Sequence, residues 1–124
     1  MTTNRDRAAE VTEQPMTANE VRAARTAYGL TCAELAHILD VNERTVRRWE
    51  SAHPAHPNGT IAAEIRAIDA RIDAIAARIH ERAQASGGAY DVSTPPADSW
   101  GRTTPGLLRI AAWRANRDHG TRIT

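Results

Sequence analysis

A chain of 124 residues is long enough for one small domain with appendages, or for two very small domains. Its formal net charge of +1 excludes a polycation that holds nucleic acid by bulk charge, so any such affinity must come from local placement. Without Phe and with abundant Ala, the core is expected to be thin, with part of the apolar surface buried against a second subunit.

There is no Lys, so every basic side chain is an arginine, a planar donor suited to phosphate and guanine; a high-GC genome is the simpler account of the bias. Cys32 stands alone, which rules out an internal disulfide and points to a reducing compartment. No apolar run approaches membrane-spanning length and the polar N-terminus lacks a signal peptide's apolar core, so a soluble cytoplasmic protein is expected.

Residues 1–15 are polar and mixed in charge and read as a disordered arm. The functional alternative, an arm reaching into the minor groove with Arg5 and Arg7, is weakened by Asp6, Glu10 and Glu13. A first helix then opens with Thr17 and Glu20 in a capping box, flanked by Met16 and Val21 as a hydrophobic staple. Val21, Ala24 and Tyr28 form its apolar stripe, and Gly29 supplies the left-handed stop.

The stretch from Leu30 to Glu50 carries the densest signal. Thr31 and Glu34 repeat the capping box, Leu30 and Leu35 repeat the staple, and Leu39 continues the helical spacing. Asp40, Val41 and Asn42 interrupt it; Asn42 then caps a second helix whose apolar face is Val46 and Trp49 and whose staple is Val41 with Val46. Two capped helices joined by a three-residue turn make a helix-turn-helix, which lays its second helix in the DNA major groove.

These residues resemble the Cro/CI-type (XRE-like) helix-turn-helix family, and the likeness extends back to about Val21. In the terms of that family Ala36 is the small residue where the two helices touch, and Leu35, Leu39, Val41, Val46 and Trp49 lock them together. The family's usual glycine before the turn is Asp40 here, a departure that a left-handed backbone tolerates. The resemblance also implies an ion pair between Arg25 and Glu50. The DNA-binding residues expected are Thr31, Cys32, Asn42, Glu43, Arg44, Thr45, Arg47 and Arg48. Thr31 offers its hydroxyl to a phosphate, and the resemblance puts Cys32 where relatives often carry a polar contact residue and turns Glu43, Arg44 and Arg48 toward the bases. Arg44 and Arg48, four apart on one face, suit guanine O6 and N7; Arg47, turned sideways, suits a phosphate. Glu43 either accepts from a cytosine amino group or orients Arg47, and Thr45 either touches a thymine methyl or fills space.

The segment from Ser51 to Gly59 is a loop; its His53 and His56, each followed by Pro, lack partners at ligand spacing and do not make a metal site. From Thr60, expected to cap it, a long helix carries Ile61, Ile65, Ile68, Ile72, Ile75 and Ile79 in a seam repeating every seven residues, ended by Gly87 and Gly88. At about 1.5–3 kcal/mol per buried isoleucine, that seam has to be covered. It is either a homodimer contact, antiparallel or bundle-like because Glu64 and Asp69 would face each other in a parallel pair, or it packs on the chain's own helices. Beyond it, residues 89–92 read as a short strand, 93–104 as a Pro/Gly-rich loop, Thr104-Pro105 as the start of another helix to Asp118, and 121–124 as a closing strand. Trp100 and Trp113 are expected in the core or at a partner contact. The layout resembles short phage-type dimeric repressors, including anti-CRISPR-associated ones.

The expected architecture is therefore mainly α: a three-helix helix-turn-helix unit over 16–59, a long Ile-seamed helix over 60–86, and a small C-terminal α or β-α-β dimerisation or partner-binding element over 87–124. The function expected from the motif is a homodimeric, sequence-specific repressor or autoregulator on an inverted repeat in double-stranded DNA, needing no cofactor. The alternative is the antitoxin of a toxin–antitoxin pair, with Trp100 and Trp113 holding the toxin. Catalysis is not expected, because His37, His80 and His119 have no Ser, Cys or carboxylate at convincing spacing.

Overall fold

The computed structural model describes residues 14–51 and 56–124. The residues read as an N-terminal arm therefore lie, except for Gln14 and Pro15, outside the described residues, as does His53. The rest is mainly helical. Three short helices come first: α1 (Ala18–Ala27), α2 (Cys32–Leu39) and α3 (Glu43–Glu50). They are followed by the long α4 (Gly59–Ala85), strand β1 (Ala89–Tyr90), a single 3-10 turn (Asp98–Trp100), α5 (Pro105–His119) and strand β2 (Arg122–Ile123). No described helix is long and apolar enough to cross a membrane.

Local chemistry sets the helix ends. Thr17 with Glu20, and Thr31 with Glu34, each form a complete reciprocal capping box. Asp40 closes α2 in the left-handed conformation at φ 56°, the position that glycine would occupy without strain. Asn42 caps α3 through its side chain, which accepts from the Arg44 N–H at 2.9 Å. The start of α4 differs from the sequence expectation: the cap is Asn58, accepting from the Ile61 N–H at 2.9 Å, and Thr60 lies inside the first turn. Asparagine held in the extended region outcompetes a threonine already in helical geometry.

The seam on α4 requires a correction. Ile65, Ile68, Ile72, Ile75 and Ile79 are each at most 2 % exposed within a single chain, and Ile61 is half-buried. What covers them is α5, which packs along α4 with Leu107, Leu108, Ala111, Ala112 and Ala115, together with the N-terminal helices at one end and β1 at the other. Alanines on α5 let the two helix backbones approach closely, so the seam is consumed internally and is not a dimer contact. One continuous core results, from Met16 through Trp49 and the α4 isoleucines to Ala115.

The C-terminal element is a two-stranded parallel sheet, with Ala89 beside Arg122 and Tyr90 beside Ile123, connected through α5. Trp100 is buried, with the Arg82 guanidinium 4.7 Å from its ring centroid. Trp113 is not in the core: it is 55 % exposed.

Candidate nucleic-acid interface

Helix α3 divides sharply by face. Val46 and Trp49 are buried against the core, Thr45 and Glu43 are half-buried, and Arg44, Arg47 and Arg48 point into solvent. Neither Arg44 nor Arg48 has a side-chain partner among the described residues, so two guanidiniums one turn apart stand free. Arg47 is engaged by Glu43, its Nη2 donating to Oε1 at 2.8 Å, so of the two roles considered for Glu43 the structure displays the one that orients Arg47.

The helix is held from below by its last residue. Glu50 is 7 % exposed, and Arg25 grips it as a fork: Nε donates to Oε2 at 2.6 Å and Nη2 to Oε1 at 2.9 Å. The third nitrogen of Arg25 donates to the Leu30 carbonyl at 2.9 Å, tying the start of α2 to the same guanidinium. The Arg25 hydrogen bonds hold the Glu50 carboxyl below the usual carboxylate range despite its burial. A side chain on α1 therefore fixes both helices that follow.

Cys32 opens α2 beside this pair. Its thiol donates weakly to Glu50 Oε2 at 3.7 Å, and burial, reinforced by the Glu50 charge, pushes its pKa up. A thiol kept protonated in this way is a poor nucleophile and reads as a packing residue at the edge of the interface. Thr31 is exposed; its hydroxyl oxygen accepts from the Glu34 N–H at 3.1 Å and its hydroxyl hydrogen is turned to the Glu34 carboxylate.

Sequence reasoning passed over Arg22. Its Nη2 donates to the Glu50 carbonyl at 2.7 Å and its Nε lies 3.5 Å from Glu50 Oε1, while its side chain stays 56 % exposed. With Arg25, Cys32, Arg47, Glu50 and Ser51 it lines a surface notch of about 320 Å³. The available signal was its place three residues before Arg25, on the same face of α1. The structure thus gathers Arg22, Cys32 and Arg47 around one notch and sets Arg44 and Arg48 on the outer face of α3. It leaves Asn42 engaged as the helix cap, and Thr45 half-covered.

From the other side, the C-terminal segment braces the turn between α2 and α3. Arg102 Nη1 donates to the His37 carbonyl at 3.0 Å and lies 3.2 Å from Asp40 Oδ1. Glu34 Oε2 accepts from the Gly106 N–H at 2.6 Å at the start of α5. Burial pushes the Glu34 carboxyl up, but hydrogen bonds from the Thr31 and Gly106 N–H groups and from the Thr104 and Thr31 hydroxyls outweigh it and hold the pKa below the usual range.

The chain matches no family model, no curated protein and no solved structure.

Proposed function

We propose that residues 16–59 are a helix-turn-helix unit of the Cro/CI kind that binds double-stranded DNA, with α3 as the recognition helix. On this reading the protein is a homodimeric repressor or autoregulator acting on an inverted repeat. The observation that carries it is the division of α3: Val46, Trp49 and Glu50 are committed to the core, while Arg44 and Arg48 stand exposed on the opposite face, unpaired among the described residues. A helix anchored so firmly from one side has its other side available for a groove. Arg44 and Arg48 read base edges, each able to discriminate by about 1–3 kcal/mol when both donors meet guanine O6 and N7. Arg47, steadied by Glu43, and Arg22, steadied by Glu50, hold phosphates on either side of the notch.

The test is selection of bound duplexes from a random pool, followed by binding of variants to the selected sequence and to random duplex. Arg44→Ala and Arg48→Ala should relax the preference at particular bases. Arg47→Ala and Arg22→Ala should weaken all duplexes alike and reduce the salt slope by about one each. Failure of the purified chain to bind any duplex at low salt would end the proposal.

The antitoxin reading keeps one supporting observation, the exposed Trp113. Trp100 has no part in it, being buried.

A further inference from the structure

Among the described residues, Trp113 is the large hydrophobic side chain left in solvent. It lies on the outer face of α5 in a groove of about 400 Å³, lined by Val92, Ala112 and Ile123, with Arg109 and Asn116 at its rim. The DNA-binding reading makes no use of this groove. It sits on the C-terminal element, apart from the notch and α3 residues assigned to DNA.

The groove borders an open sheet edge. Thr124 donates to the Tyr90 carbonyl at 2.8 Å and accepts from the Val92 N–H at 3.1 Å. Alternate residues of a strand turn their backbone groups to opposite edges, so Ile123 directs its N–H and C=O away from β1. Among the described residues nothing pairs with that edge, and a two-residue ladder so left is a weak sheet that gains from further strands.

We infer that a second copy of this chain occupies the groove. The two-fold axis runs beside Ile123, the two β2 strands meet antiparallel, and each Trp113 packs into the partner's groove. Two features choose a second copy over another protein. First, a two-fold is the operation that brings identical edges together antiparallel, so one free N–H and one free C=O on Ile123 satisfy each other twice. Second, the groove and its neighbouring residue Asp91 are self-complementary in charge. Arg109 has no partner among the described residues, and the carboxylate of Asp91, next to the lining residue Val92, accepts among them only from the Ser93 N–H and hydroxyl. Across the axis Arg109 meets the partner's Asp91, and the pair forms twice. The choice also rests on the proposed function, because one eight-residue helix reads too few base pairs and such units work in two-fold pairs.

Sedimentation velocity of the full chain at roughly 1 to 100 µM tests this. The wild type should sediment as a dimer. Trp113→Glu, at an exposed position, should raise the dissociation constant by about thirty-fold or more while leaving the far-ultraviolet circular dichroism and melting temperature unchanged. Arg109→Asp should also weaken the dimer, and adding Asp91→Arg should restore it. A wild type that stays monomeric at the highest concentration overturns the inference and returns the groove to a different protein. A dimer unaffected by Trp113→Glu overturns it too, and a charge exchange that does not restore association overturns the two-fold register. Duplex binding measured in parallel separates the two ideas. A monomer that still prefers one sequence removes the interface and leaves the DNA-binding role of α3 standing, whereas a Trp113-dependent dimer that ignores every duplex does the reverse.

Discussion

Glu50 sits almost out of contact with water, and a carboxylate in that position must be held by partners or lose its charge. Arg25 supplies the partner, and the carboxyl pKa is consequently lowered in the folded chain. The pair's contribution to stability is therefore complete above the unfolded glutamate value of about 4.3 and disappears as the pH falls through the lowered folded value. Glu50→Gln should flatten the acid limb of a stability-against-pH curve in that window, while persistence of the full limb would assign it to another carboxylate, such as Glu34. Arg25→Ala should cost about 2–4 kcal/mol in urea unfolding at neutral pH, because it strands a buried carboxylate, and should leave base preference untouched. The family resemblance pointed to this pair from the sequence. Arg22 stayed out of view because its strongest bond is to a main-chain carbonyl, and no pattern of side chains reports where a carbonyl will be free.

Among elements, the capped ends of α1, α2, α3 and α5 follow from residues a few positions apart, which is why they were legible in advance. The cover on α4 was not. A seven-residue spacing of isoleucines says that a stripe is buried, and says nothing about whether the covering helix belongs to the same chain. The deciding feature lies on α5, where the buried Ala111, Ala112 and Ala115 follow Leu107 and Leu108 and allow close packing. Glu34 has a similar history: its capping role is local, while its bond to the Gly106 N–H spans 72 positions and follows from the α4–α5 packing. This junction gives a prediction opposite in sign to helix propensity. Alanine is favoured over glycine in a helix interior by about 1 kcal/mol. At position 106, however, the added methyl carbon would lie 2.7 Å from the Gly29 carbonyl oxygen and 2.6 Å from Glu34 Oε2. The glutamate can swing aside but the carbonyl cannot, so α5 has to retreat from the α2 end. Gly106→Ala should lower stability by about 1–3 kcal/mol, read as a fall in melting temperature. A neutral or stabilising outcome would mean that the junction is looser than its geometry.

For the molecule as a whole, a net charge of +1 leaves little field at a distance, so binding has to be electrostatically local. The arrangement of arginines fits that constraint. Arg102, Arg114 and Arg117 are tied to Asp40, Asp69 with Asp73, and Asp118, whereas Arg44 and Arg48 are tied to nothing among the described residues. If Arg22 and Arg47 each neutralise one phosphate, the slope of log affinity against log salt on a single half-site should be about −2, and on an inverted repeat bound by two copies about −4. Trp113→Glu should return the second value to the first, because it separates the copies without touching the arginines. A slope near −10 on every duplex would describe a polycation coating the backbone, and the division between reading and holding residues would then fail. A slope near zero with sequence preference retained would instead remove Arg22 and Arg47 from the phosphates and leave Arg44 and Arg48 on the bases.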